Sequence, residues 1–143
     1  MAANGILIAL FEMVLVYKLE GKKHPLHFAS IGVILMGCSF ILFNLFTGSL
    51  LLAVISMLIV TAGEMFSMPF MNTFWVSRTT STNRGQYAAL YTIAWSIGQI
   101  VGPYLGSITA QHLGFTSLWW IVGGISLAAA IGYKTLDAVL KRN

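Results

Sequence analysis

Apolar residues in this chain fall into long blocks, not into the alternating or one-sided patterns of water-facing strands and helices. Five blocks stand out, at about 4–17, 28–46, 50–70, 87–110 and 118–133. None carries more than one charged side chain. A helix rises ~1.5 Å per residue, so ~20 apolar residues cross the ~30 Å of hydrocarbon in a bilayer. The three middle blocks reach or nearly reach that length, while the first is short for a full span. The pattern predicts an all-α, polytopic membrane protein with about five transmembrane helices in one helical domain over residues 1–143.

The connections are short and polar. Residues 18–27 combine Gly21 and Pro25 with charge, which ends one helix and starts the next. A tight turn is expected from Asn44 to Ser49, a polar loop from Ser77 to Gly85, a short loop around Gln111 to Thr116, and a basic tail from Lys134 to Asn143. Connections of this length make successive helices alternate in direction.

Within the blocks, spacing picks out faces. Ala94, Gly98, Gly102, Gly106 and Ala110 recur every four residues, so they share one helix face where a neighbouring backbone can approach closely. Pro103 removes a backbone donor beside them and is expected to kink the helix, either as the bend of a gate or as a static one. Tyr91, Trp95 and Gln99 form an adjacent stripe with polar handles. In the third block Thr61, Glu64, Met68 and Asn72 also follow helical spacing, giving one polar stripe on an otherwise apolar helix.

Composition strengthens the membrane reading. The chain is 57% hydrophobic and 8% charged, against about a quarter charged in soluble domains. The net charge of +4 looks like a nucleic-acid signature only until the basic residues are placed along the chain. Instead all eight Lys and Arg residues lie in the connection after block one, the loop after block three, and the tail. That split orients the protein with those segments, and the carboxy terminus, in the cytoplasm. Tyr17, Trp75 and Tyr133 sit near that boundary and Phe115, Trp119 and Trp120 near the other, as amphipathic rings prefer.

Candidate chemistry is sparse. Glu12 and Glu64 are the carboxylates inside the blocks, where a charge costs at least ~2.5–3.5 kcal/mol. Each either faces a cavity, binding a cationic substrate or exchanging protons, or braces two helices as a protonated or hydrogen-bonded carboxyl. Tyr91, Trp95 and Gln99 meet a ligand or serve ordinary packing. Arg84 and Gly85 anchor the inner loop against a neighbour, unless Arg84 is a solvated orienting charge. Cys38 is expected to be a packed thiol, without a disulfide partner. His24, His27 and His112 fall in loops and lack metal-ligand spacing. With no P-loop, Gly-x-Ser-x-Gly elbow or dinucleotide fingerprint, neither an enzyme nor a cofactor is expected. The amino terminus lacks the positive region of a signal peptide, and Glu12 interrupts its apolar core, so no cleaved signal is expected.

Asn83-Arg84-Gly85-Gln86-Tyr87 leading into Ser96-Ile97-Gly98-Gln99-Ile100-Val101-Gly102-Pro103-Tyr104-Leu105-Gly106 resembles the inner loop and Gly-Pro-containing eleventh helix of major facilitator superfamily transporters. On that resemblance the chain is similar to helices eight to twelve, an incomplete second half, with bacterial drug or small-molecule efflux members the most similar. The resemblance implies a partial bundle of that type in a bacterial inner membrane. It implies proton-coupled secondary efflux of a small organic molecule, with the amino-terminal half of the transporter as the required partner. It also implies that Glu64 lies on the central cavity, with Glu12 and the Tyr91 stripe near it. The alternative is a non-transporting membrane module that packs with a partner helix bundle through its glycine ladder.

Overall fold

The computed structural model describes residues 2–45 and 49–142. It contains four helices: α1 (Ala2–Leu19), α2 (Pro25–Leu45), α3 (Leu50–Ser77) and α4 (Arg84–Leu140). Among the described residues there is no strand. Pro25 takes the first position of α2, where its missing N–H is no loss. Phe46, at the end of the second block, and the centre of the turn expected from Asn44 to Ser49 lie outside the described residues.

The count of four conceals a fifth segment. α4 is 57 residues long, about 85 Å if straight, far more than one bilayer. It breaks at Gly114, whose φ of 80° and ψ of 166° are non-helical and open essentially only to glycine. The two arms, 84–113 and 115–140, fold back on each other. A methyl added at Gly106 of the first would lie 3.9 Å from Leu118 Cδ1 of the second. The loop expected around Gln111 to Thr116 is thus compressed into one residue, and His112 is helical. Pro103, where a kink is expected, lies inside the helix, and the backbone leaves helical φ/ψ only at Gly114.

The helices also outrun the apolar blocks. α3 continues through Ser77 and α4 through Leu140, because backbone hydrogen bonding goes on into the interface where hydropathy falls. His27 therefore belongs to the first turn of α2, not to a loop.

α2 is the centre of the bundle and packs antiparallel to α3 and to the second arm of α4. Two glycine crossings make this possible. On one side Gly32 meets Gly63, and a methyl added at Gly63 would lie 2.7 Å from Gly32 O. On another side Gly37 meets the second arm, where a methyl would lie 2.9 Å from Ser126 Cβ, and Gly123 is as tight against Ile41. Ser39 Oγ donates to Ser56 O at 2.8 Å, tying α2 to α3 again. Asn44 Nδ2 donates to Thr116 O at 3.2 Å, fixing the start of the second arm. Among the described helices, α1 lies against α3 alone.

Burial is inverted relative to a water-soluble protein. Ser30, Ser39, Ser56, Thr61 and Asp137 are buried, while Leu50, Ile100 and Ile131 are exposed. Small and polar side chains pack between helices beside a few large apolar ones, Leu26, Phe28, Met65 and Phe70, while many other large apolar side chains face outward, as a hydrocarbon solvent allows. α2, α3 and α4 are long and apolar enough to cross a membrane. Cys38 points outward and is exposed, contrary to the packed thiol expected of it. The sequence has no way to show that α2 uses its glycine and serine faces for contact and leaves this one open.

Candidate functional site

Met68 and Asn72 are one helical turn apart on α3, and Tyr91, Thr92 and Trp95 fall within about one turn on the first arm of α4. These five side chains line a cavity of about 250 Å³ between the two helices. Its wall is built from both sides. Trp75 Nε1 donates to Asn72 Oδ1 at 3.1 Å, and the Trp75 ring stacks on Tyr91 with centroids 5.7 Å apart. The indole therefore fixes the Asn72 amide and the Tyr91 ring together. Trp95 remains 46% exposed at the mouth. An amide, a threonine hydroxyl and two aromatic faces can hold a small organic molecule by hydrogen bonding and stacking.

Four of the residues singled out by spacing, Met68, Asn72, Tyr91 and Trp95, thus converge on one cavity. Others do not join them. Thr61 is buried and donates to Met57 O at 2.8 Å within its own helix, and it lines a groove with Leu7, Phe11 and Leu15 of α1. Glu64 is half-buried on α3, one turn before Met68, and Glu12 is half-buried on α1. Gln99 is exposed, one turn beyond Trp95.

Among the described residues, the middle of the glycine ladder is not a contact face. Nothing lies within 4 Å of a methyl placed at Gly98 or Gly102, and only Leu118 approaches Gly106. Close packing is done instead by Gly32, Gly63, Gly37 and Gly123. The ladder's far end opens into a cleft between the two arms, about 460 Å³, lined by Pro103, Gly106, Ala110, Phe115 and Leu118 among others. Arg84 opens α4 and is exposed, and Gly85 has open space around it.

One charged cluster escapes the sequence reading. Asp137, expected in a basic tail, lies on the second arm and is 7% exposed. Lys141 Nζ donates to its Oδ2 at 2.7 Å, and His24 Nδ1 stands 2.9 Å from its Oδ1. His24 in turn packs edge-on to Phe74 of α3, over which Arg78 lies at 5.5 Å. The cluster ties together the ends of α2, α3 and α4 that carry the Lys and Arg residues. Its one sequence signal is the four-residue spacing of Asp137 and Lys141. Among the described residues no three His, Cys, Asp or Glu side chains gather as a metal would require.

The family model of the Major Facilitator Superfamily matches residues 1–142. Among curated proteins, Citrate exporter 1 of Aspergillus niger is 36% identical over 56 residues, 37% of this chain and 11% of the exporter. An identically named protein from the A. niger strain ATCC 1015 matches to the same extent. The match thus spans only about a tenth of the length of these relatives. No solved structure matches it.

Proposed function

The chain belongs to the Major Facilitator Superfamily, and on that premise we propose that it forms part of a secondary transporter that exports a small organic molecule in exchange for protons. Members of the superfamily are transporters, not enzymes. The chain itself is an integral membrane protein.

The observation that carries the reading is the meeting of Asn72, Tyr91 and Trp95 at one cavity, on an arm of α4 that the rest of the chain leaves almost uncovered. The first arm is exposed at nearly every position from Thr92 to Leu105. In a protein that alternates access by rocking two helical halves about a midplane site, such a helix is free to face the other half and the substrate between them. The partner in this reading is the amino-terminal half of the transporter, and the basic ends of the helices face the cytoplasm of a bacterial inner membrane.

Glu64 is the proton-carrying candidate, with Glu12 second. A carboxyl on a helix inside the bilayer is expensive unless it is protonated, paired or wetted, and Glu64 lies one turn from the cavity wall at Met68. The printed name of the relatives makes citrate and similar carboxylates the first substrates to try. Stacking on Trp95 and a hydrogen bond from Asn72 suit a small polar molecule.

Proton-driven transport by the protein expressed from its complete reading frame, measured in everted vesicles, tests the assignment. The Glu64→Gln exchange is expected to lower coupled transport at least about tenfold while changing thermal stability by less than about 1 kcal/mol. Trp95→Ala is expected to raise KM more than it lowers the maximal rate. A Glu64→Gln protein that transports normally refutes the proton role. Loss of stability without a specific loss of coupling assigns Glu64 to bracing instead.

A further inference from the structure

The cavity between α3 and the first arm of α4 is governed in part by a side chain outside its wall. Trp75 follows Asn72 by just under one turn of α3 and is not one of the five residues that line the space. Its indole nonetheless holds two of them. Nε1 donates to Asn72 Oδ1 at 3.1 Å, and the ring lies over Tyr91 with an interplanar angle of 27°.

An indole N–H is a donor with no acceptor capacity, whereas an asparagine amide has an acceptor at one end and a donor at the other. The contact therefore has one possible polarity. Turning the amide over would set its NH2 group against the indole N–H, two donors facing each other. With Oδ1 held toward Trp75, Nδ2 is the polar atom of Asn72 left for the cavity. The other lining groups weigh little against this donor. The Thr92 and Tyr91 hydroxyls donate or accept alike, the Met68 thioether is a weak acceptor, and the Trp95 indole can only donate.

We infer that Trp75 is a positioning residue whose hold on the Asn72 amide makes the cavity prefer ligands with an acceptor oxygen, a carboxylate or carbonyl, over ligands that offer only N–H donors; this role rests on reading the cavity as the substrate site. An amide free to rotate would serve either class, because its two ends are nearly the same size. A fixed one serves acceptors. The five lining side chains are uncharged, so the selection is made by hydrogen-bond polarity. The two tasks of Trp75 can be separated, since a phenylalanine could still stack on Tyr91 but could not hold Asn72.

Benzoate and benzamidine form a matched pair of probes, in which the same ring carries two acceptor oxygens or two donor nitrogens. Their affinities for the protein expressed from its complete reading frame, held in lipid nanodiscs, are read by saturation-transfer difference NMR. Trp75→Phe keeps the net charge, so any pull of Glu64 on the cation cancels in the comparison. It is expected to lower the ratio of benzoate to benzamidine affinity about fivefold, the worth of one hydrogen bond. Asn72→Ala alone should lower the ratio likewise, and Trp75→Phe should then have no further effect on it. A ratio unchanged in Trp75→Phe overturns the inference, as does an equal fall in the Asn72→Ala background, which would leave Trp75 a purely structural part. The substrate-site reading fails on a different result. Absence of binding, or binding of both probes that Trp95→Ala leaves intact, refutes that reading and takes the positioning role of Trp75 with it.

Discussion

Asp137 shows how much a single side chain can do at the rim of a membrane bundle. Its carboxylate is taken up from two directions, by Lys141 one turn along the same helix and by His24 at the start of α2. The two contacts differ in kind. Lys141 is 61% exposed at its side chain, so its pairing is screened and contributes at most about 1 kcal/mol. The His24 contact is the one that joins two helices. Asp137→Asn is therefore expected to lower the stability of the detergent-solubilised chain by about 1–3 kcal/mol, and Lys141→Ala by less than about 1 kcal/mol. Equilibrium unfolding of the two variants measures this, and equal losses would place the value of Asp137 in its own helix alone. None of this was legible from hydropathy. The last turns of α4 hold Lys134, Asp137 and Lys141, so they read as a polar tail, although a helix entering the interface is amphipathic by necessity. Glu64, Asn72 and Trp95 were found because a polar residue inside an apolar block is conspicuous; Asp137 was hidden because its neighbours are also charged.

At the scale of helices, spacing identified faces but not partners. The four-residue ladder from Ala94 to Ala110 does form one face of a helix, yet Gly98 and Gly102 look onto open space. Gly32 and Gly37, five residues apart in α2, form no ladder and still make the two closest crossings in the chain. Their separation is the reason. Five residues turn a helix by about 140°, so each glycine opens a different side of α2, one for α3 and one for the second arm of α4. A repeat search favours one face used many times, whereas the central helix of a bundle uses several faces once. Gly32→Ala is accordingly expected to destabilise the chain by about 1–3 kcal/mol through overpacking, while Gly98→Ala leaves it unchanged or slightly more stable, alanine being the better helix former. Thermal melts of the two variants in the same detergent check the contrast. A destabilising Gly98→Ala would mean that the ladder has a partner in this chain after all. The five apolar blocks were legible in the same limited way, since hydropathy marks where a helix meets lipid and not where its hydrogen bonds end. Only a glycine at a conformation closed to other residues separates the last two.

For the whole molecule, the membrane reading and the transport reading rest on different supports. The first follows from inverted burial, from three helices of spanning length and from the collection of every Lys and Arg at one end of the bundle. The second rests on family membership and on a cavity that gathers Asn72, Tyr91 and Trp95 beside an uncovered helix. The central claim is that this cavity is on a water-filled substrate path and not buried against lipid. Its most direct measurement is the reaction of engineered cysteines with a membrane-impermeant maleimide in vesicles carrying the complete protein, with Cys38 replaced by Ser. Asn72→Cys and Trp95→Cys are predicted to react, and to be protected by a transported substrate, while Ile97→Cys, on the other side of the same arm, does not. If Asn72→Cys and Trp95→Cys stay unmodified whichever side the reagent is added from, the cavity is a packing void and the account of transport through it is wrong.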